Sequence, residues 1–214
     1  PVHGLMYVNE AQDDIIWYDR EAKSIYMQFN TDSNDMIGSG TSNDVFFLDG
    51  IIYAAQSDGL YVVDLLQDTG DKYTNNGLYR YASDVTSRND GDGHVLYVAA
   101  LALHAASTVT ASAIRDPELS DQFGRQKQWF WAGTGSDPSV YSPVDNAIYD
   151  GGINGEDGIV LTSLDSGAMF DASTHSSGDY IHYFRSIFRI DADEFSANAT
   201  WNCTRSDSED ILWS

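Results

Sequence analysis

Basic residues are scarce in this sequence. Eleven Lys and Arg stand against 33 Asp and Glu in 214 residues, a formal net charge of −22. Binding nucleic acid through its phosphates needs the opposite sign, and an anionic bilayer surface repels such a chain. Neither nucleic acid nor membrane insertion is expected. No run of eighteen apolar residues occurs, the length a helix needs to cross a bilayer. The longest weakly polar stretch, Val95 to Ala106, is shorter and contains His104. The single cysteine, Cys203, excludes an intrachain disulfide and the disulfide-stapled secreted modules. The opening PVHG has neither the basic region nor the apolar core of a signal peptide. Its proline start, with an apolar run from Leu5, leads us to expect a processed chain or a piece of a longer product.

Catalytic and metal motifs are also missing. The five histidines show no H-E-x-x-H or H-x-H spacing, so zinc is not expected. No G-x-S-x-G elbow is present. The GTGSDP stretch lacks the Lys and following helix of a phosphate-cradling loop. Among the carboxylates, the run from Asn89 to Gly93 offers Asp90 and Asp92 as candidate calcium ligands. An EF-hand loop would place a Glu at its twelfth position; none follows, and a plain Asp-Gly turn explains the run more simply. No cofactor is expected, with calcium the one ion left open.

What the chain does have is apolar and aromatic content, 42% and 13%, enough to bury a core. It also has repetition. HGLMYVNEAQDDIIWYD (His3 to Asp19) aligns with DGIIYAAQSDGLYVVD (Asp49 to Asp64), placing Gly4 on Gly50, Tyr7 on Tyr53 and Asp19 on Asp64, with one residue of slippage in the turn. The spacing of about 45 residues is that of a four-stranded propeller blade. Alternating aromatic and β-branched residues predict strands, and the stretch from Asp49 to Asp64 predicts an antiparallel hairpin turned at Ser57 to Gly59. WFWAGTGSDPSVYSPVDNAIYDGG (Trp129 to Gly152) echoes the unit, and GIVLTSLDSGAMFDAS (Gly158 to Ser173) does so more faintly. Val95 to Ile114 reads as one or two strands, with a short helix over 95–106 as the alternative. The stretch RDPELSDQFGRQKQ reads as a loop, with room for one helical turn. One all-β domain is therefore expected, in approximate units 1–47, 48–90, 91–152 and 153–214. Its β-propeller-like blades of antiparallel strands are incomplete or closed with another chain; a β-sandwich is the alternative.

The stretch SNDVFFLDGIIYAAQSDGLYVVDLLQDT resembles phage-encoded propeller-like virion proteins. Their units read as a polar turn, a "DGxIYVAT"-like strand, a Gly turn and a "GVSVIDL"-like strand. RYASDVTSRNDGDGHV looks like the segment that follows, although His94 stands where an aromatic is usual. The unit from Trp129 to Gly152 occupies the next place, interrupted by Pro138 and Pro143. The resemblance runs from Asp44 to Gly152. It implies a tail, fibre or capsid-associated structural role in a virion, with other virion subunits or copies of the same chain as partners, and no catalytic residues.

Two further features point elsewhere. Ser163, Asp165, Gly167 and Phe170 fit S-x-D-x-G-x-x-aromatic, which resembles the Asp box of sialidase-type propellers, a turn-forming device. Trp17, Trp129 and Trp131 are candidate ligand or interface aromatics; in a strand, Trp129 and Trp131 share one face with Phe130 opposite. Buried, they are core; exposed, they would stack on sugar rings or meet another subunit. The expected function is thus a non-enzymatic virion component, one that also suits recognition of a cell-surface glycan. The alternative is an extracellular carbohydrate-active enzyme or lectin.

Overall fold

A computed structural model describes residues 4–9, 14–29, 40–67, 69–81, 95–135, 138–150, 157–163, 169–175, 178–184 and 202–204. These residues form strands and no helix. The first sheet comprises β1 (Gly4–Asn9), β2 (Asp14–Asp19) and β3 (Ser24–Phe29). The second comprises β4 (Ser42–Leu48), β5 (Ile51–Gln56), β6 (Gly59–Asp64), β7 (Thr69–Thr74), β8 (Gly77–Tyr81) and β9 (Leu96–Val98). The third holds β10 (Thr108–Ser120), β11 (Gln126–Thr134), β12 (Pro138–Ser142) and β13 (Ala147–Asp150). The fourth holds β14 (Asp157–Ser163), β15 (Met169–His175), β16 (Gly178–Phe184) and β17 (Asn202–Thr204). Within each sheet every strand pairs antiparallel with its neighbour in sequence.

The sheets are stacked like blades. β4 lies beside both β1 and β10, and β10 lies beside β14. Side-chain alternation, which sends successive residues to opposite faces, explains the stacking. Tyr53, Ala55, Leu60 and Tyr73 point from the second sheet to Ala111, Ala113, Phe130 and Ala132 of the third. Ile52, Ala54, Tyr61 and Val63 point the other way, to Ile15, Met6 and Val8 of the first. Strands β5 and β6 of the second sheet are therefore buried on both faces, and each fully buried Leu or Ile contributes roughly 1.5–3 kcal/mol. The architecture is all-β and propeller-like, a succession of meanders and not two facing sheets. The described sheets do not close into a ring.

The hairpin from Ile51 to Asp64 forms as its sequence predicts, with Gln56 opposite Gly59 across Ser57 and Asp58. The preceding turn is equally short. Asp49 and Gly50 take φ of 49° and 83° between paired Leu48 and Ile51, the left-handed conformation at both central residues that a two-residue hairpin favours.

The chain from Val95 to Ile114 gives two strands, β9 and the start of β10, with no helix. The expected loop at 115–128 is a correction. β10 continues through Ser120, and Pro117 fits because the register shifts between Arg115 and Ser120; proline in a sheet belongs at such irregularities. There Asp116 Oδ1 accepts the backbone N–H groups of Glu118 and Leu119 at 2.9 and 2.8 Å, replacing ladder bonds that the bulge removes.

Candidate functional site

The first sheet carries the principal exposed apolar surface among the described residues. Trp17 sits opposite Met6 and Met27. Its ring meets Tyr26 edge-on at 5.2 Å and Phe47 of β4 at 5.1 Å. Gly4 lies directly beneath the indole, where a Cβ would collide with Nε1, so glycine is needed for this close approach. Trp17 is half-buried, while Tyr26 and Phe47 remain partly open to solvent. On the opposite face of the same sheet, Leu5 and Ile25 are each 53% exposed and Tyr7 39%.

Trp129 and Trp131 are different. They are 1% and 0% exposed, so neither presents a face to a sugar ring or to another subunit. The physical reason is position: β11 is an inner strand of the third sheet. Phe130 points to the second sheet, stacked on Tyr141 at 4.7 Å and edge-on to Tyr73 at 5.0 Å. The two tryptophans take the other face, beside which β14 runs. Trp129 Nε1 donates to Asp116 Oδ2 at 2.6 Å, a charge-assisted bond that satisfies both buried groups. The sequence pattern thus gave the alternation correctly, and the core alternative applies to these two residues.

The remaining candidates are placed only in part. Asp90 and Asp92 lie outside the described residues, as do Asp165 and Gly167. Ser163 ends β14 opposite Met169, and Phe170 pairs with Thr162, so the Asp-box-like stretch spans a hairpin connection.

A charged junction between the second and third sheets was not anticipated from the sequence. Arg125 donates through Nη2 and Nη1 to both Asp64 oxygens at 2.5 and 3.1 Å. Its Nε reaches Asp121 Oδ2 at 3.1 Å, and Nη1 also reaches the Asp49 carbonyl at 3.3 Å. Arg115 grips the Asp49 carboxylate with two bonds of 2.6 and 2.7 Å. Asp64 Oδ1 in turn accepts the N–H groups of Leu66 and Gln67, the turn bonds that Asp favours. Asp19 makes the same pair of bonds to Glu21 and Ala22. The available signal was the repeated strand-final Asp, set against two arginines in a chain with few cations.

The hydrogen bond from Arg115 holds the Asp49 carboxyl below its ordinary range, against the upward pull of burial. At Asp121 burial pulls upward, and the N–H groups of Arg125 and Phe123 with the Arg125 guanidinium bring the net shift down. The bond to Asp64 raises Arg125. Burial pushes the Tyr53, Tyr73 and Tyr141 phenols up, keeping them neutral; Tyr53 donates to Gln128 Oε1 at 2.6 Å. Chemically, this junction orders sheets, because its cations are matched by carboxylates at bonding distance. Among the described residues no group of three or more His, Cys, Asp or Glu is arranged to hold a metal ion.

No family model matches the chain, and no curated protein matches it. Similar solved structures, all at low identity, include propeller-like proteins. Hsv2p of Kluyveromyces lactis is 11% identical, with a TM-score of 0.41, over 91% of this chain and 61% of that one. A Dos1 propeller is 13% identical, with a TM-score of 0.47, over 85% of this chain and 55% of that one. The chain thus spans less than two thirds of either.

Proposed function

We propose that the chain is a non-enzymatic structural component of a virion, within a tail, fibre or capsid-associated assembly. It acts by contact with other virion subunits or with copies of itself. The observation that carries this reading is the stretch from Asp44 to Gly152, whose units resemble those of phage propeller-like virion proteins. Two structural features support it. The arginines between the second and third sheets are engaged in holding those sheets together. Trp17, Tyr26 and Phe47 give the first sheet an aromatic surface suited to a subunit contact or to the sugar rings of a cell-surface glycan.

The test is location and turnover together. Mass spectrometry of purified particles should find the chain as a stoichiometric component; its absence from particles would overturn the virion role. A panel of polysaccharides and glycosides, with and without calcium, should show no hydrolysis. Paired carboxylates alone suffice for glycoside hydrolysis. Turnover that disappears in Asp165→Asn or Asp179→Asn would therefore replace the structural reading with an enzymatic one.

A further inference from the structure

The first sheet repeats part of the second, and the registers show which residues correspond. Gly4 pairs with Asp19 as Ile51 pairs with Asp64, and both aspartates close their strands with the same two turn bonds. Leu5 therefore stands where Ile52 does, Tyr7 where Ala54 does and Tyr18 where Val63 does. The offset between the repeats is 47 residues along β1 and 45 along β2, so the slip is two residues and falls between Asn9 and Asp14, and Met6, not Tyr7, corresponds to Tyr53.

This correspondence gives each sheet a direction. Every covered junction between the first three sheets joins the forward face of one to the backward face of the next. Met6, Val8 and Ile15 face forward onto Ile52, Ala54 and Val63, which face backward. Those three backward residues are 0%, 0% and 1% exposed. Their counterparts in the first sheet are Leu5, 53% exposed, Tyr7, 39% exposed, and Tyr18, half-buried. The backward face of the first sheet is covered where Asp14 and Ile16 lie and open at Leu5, Tyr7 and Ile25. It has the apolar character of a blade-receiving face, and among the described residues no sheet is packed against its open end. β1 is also paired with β2 alone among the described residues, whereas its counterpart β5 pairs with β4 and β6.

We propose that this face receives the fourth sheet of a second copy of the chain, so that copies associate head to tail. The fourth sheet is the last in the described succession, its leading strand set against the third. The open residues Leu5, Tyr7, Tyr18 and Ile25 are uncharged, so the receiving face brings no charge of its own to the contact. The net charge of −22 opposes approach of two copies over longer distances, and salt screens it. Because the two contacting surfaces differ, association is not capped at a dimer but continues to a ring or a filament. The proposal rests on the assembly role argued above and names its surface.

Sedimentation velocity of the full chain, from low salt to about 0.5 M NaCl, is the first test. Species larger than a dimer should grow with salt. The double variant Leu5→Lys, Tyr7→Lys should weaken association at least about tenfold, equivalent to about 1.4 kcal/mol, with circular dichroism unchanged. Val144→Lys, on an exposed turn, should associate as the parent does. A parent monomeric at every salt concentration overturns the proposal, as does a folded double variant that associates normally. A photo-crosslinker at position 5 of the otherwise unaltered chain gives an independent readout. Products should map to residues 157–204 of the second copy; products joining first sheet to first sheet overturn the head-to-tail arrangement. Association through this face in a protein absent from particles would defeat the virion role and leave the docking surface standing.

Discussion

Arg125 shows how much of this fold depends on single cations. Its side chain is 13% exposed and its partner Asp64 11%, so the pair is largely removed from solvent. Arg125→Ala would leave Asp64 desolvated, with only its turn N–H groups to bind. The expected cost is on the order of 2–3 kcal/mol, read as a lower urea midpoint with unchanged slope. Arg115 is 46% exposed against Asp49; Arg115→Ala should cost less than about 1 kcal/mol, as exposed pairs do. Equal losses at the two positions would contradict this ranking. At this scale the sequence was half legible. The turn-forming role of Asp19 and Asp64 could be read from their repeated strand-final position. The partnership of Asp64 with Arg125 could not, because it joins residues 61 apart whose proximity follows from sheet stacking alone. The fate of Trp129 and Trp131 was open for the same reason: alternation assigns a face, and only the neighbouring sheet decides whether that face is wet.

Strands were more legible than their ends. The hairpin at Ile51–Asp64 carries its signal locally, in two apolar runs and a Ser-Asp-Gly hinge. β10 hides its second half behind Arg115, Asp116 and Pro117, a polar, proline-bearing run that reads as loop; the bulge and the Asp116 side chain make it strand. Gly77 is the corresponding sensitive point of the second sheet's outer edge. Its φ is 137°, and a Cβ there would meet the Val98 carbonyl oxygen at 2.6 Å. Gly77→Ala should therefore displace β9 from β8, at a cost on the order of 1–3 kcal/mol for a residue forced into a sparsely populated conformation. Hydrogen exchange should accelerate at Tyr97 and Val98 before it does so in β5 or β6. Unchanged protection in β9 would refute this account.

The molecule as a whole is built around buried phenols as well as aliphatic side chains. Tyr53, Tyr73 and Tyr141 surround Phe130, and burial raises all three above the ordinary phenol value. An acid whose folded pKa exceeds its unfolded one contributes stability that is complete below the unfolded value, about 10, and is lost as pH rises through the folded value. The urea midpoint should hold steady below about pH 10 and fall above it, and the part of the tyrosinate absorbance that Tyr53→Phe and Tyr73→Phe remove should appear together with unfolding. Ionisation of Tyr53 or Tyr73 in the still-folded protein would count against their buried placement. On the acid side Asp49 and Asp121 run the opposite way. Their lowered values contribute stability present above about pH 3.9 and lost as pH falls through the folded values.

Every described strand pair joins neighbours in sequence. The backbone hydrogen bonds of each sheet therefore close within one short length of chain, and what holds the second sheet to the third is side-chain packing with side-chain bonds such as Tyr53–Gln128, Arg115–Asp49 and the Arg125 junction. Under tension this makes the sheet, not the molecule, the mechanical unit. A pull along the chain should part the packing between blades before it breaks any ladder, so the expected response is a yield in stages, one sheet at a time.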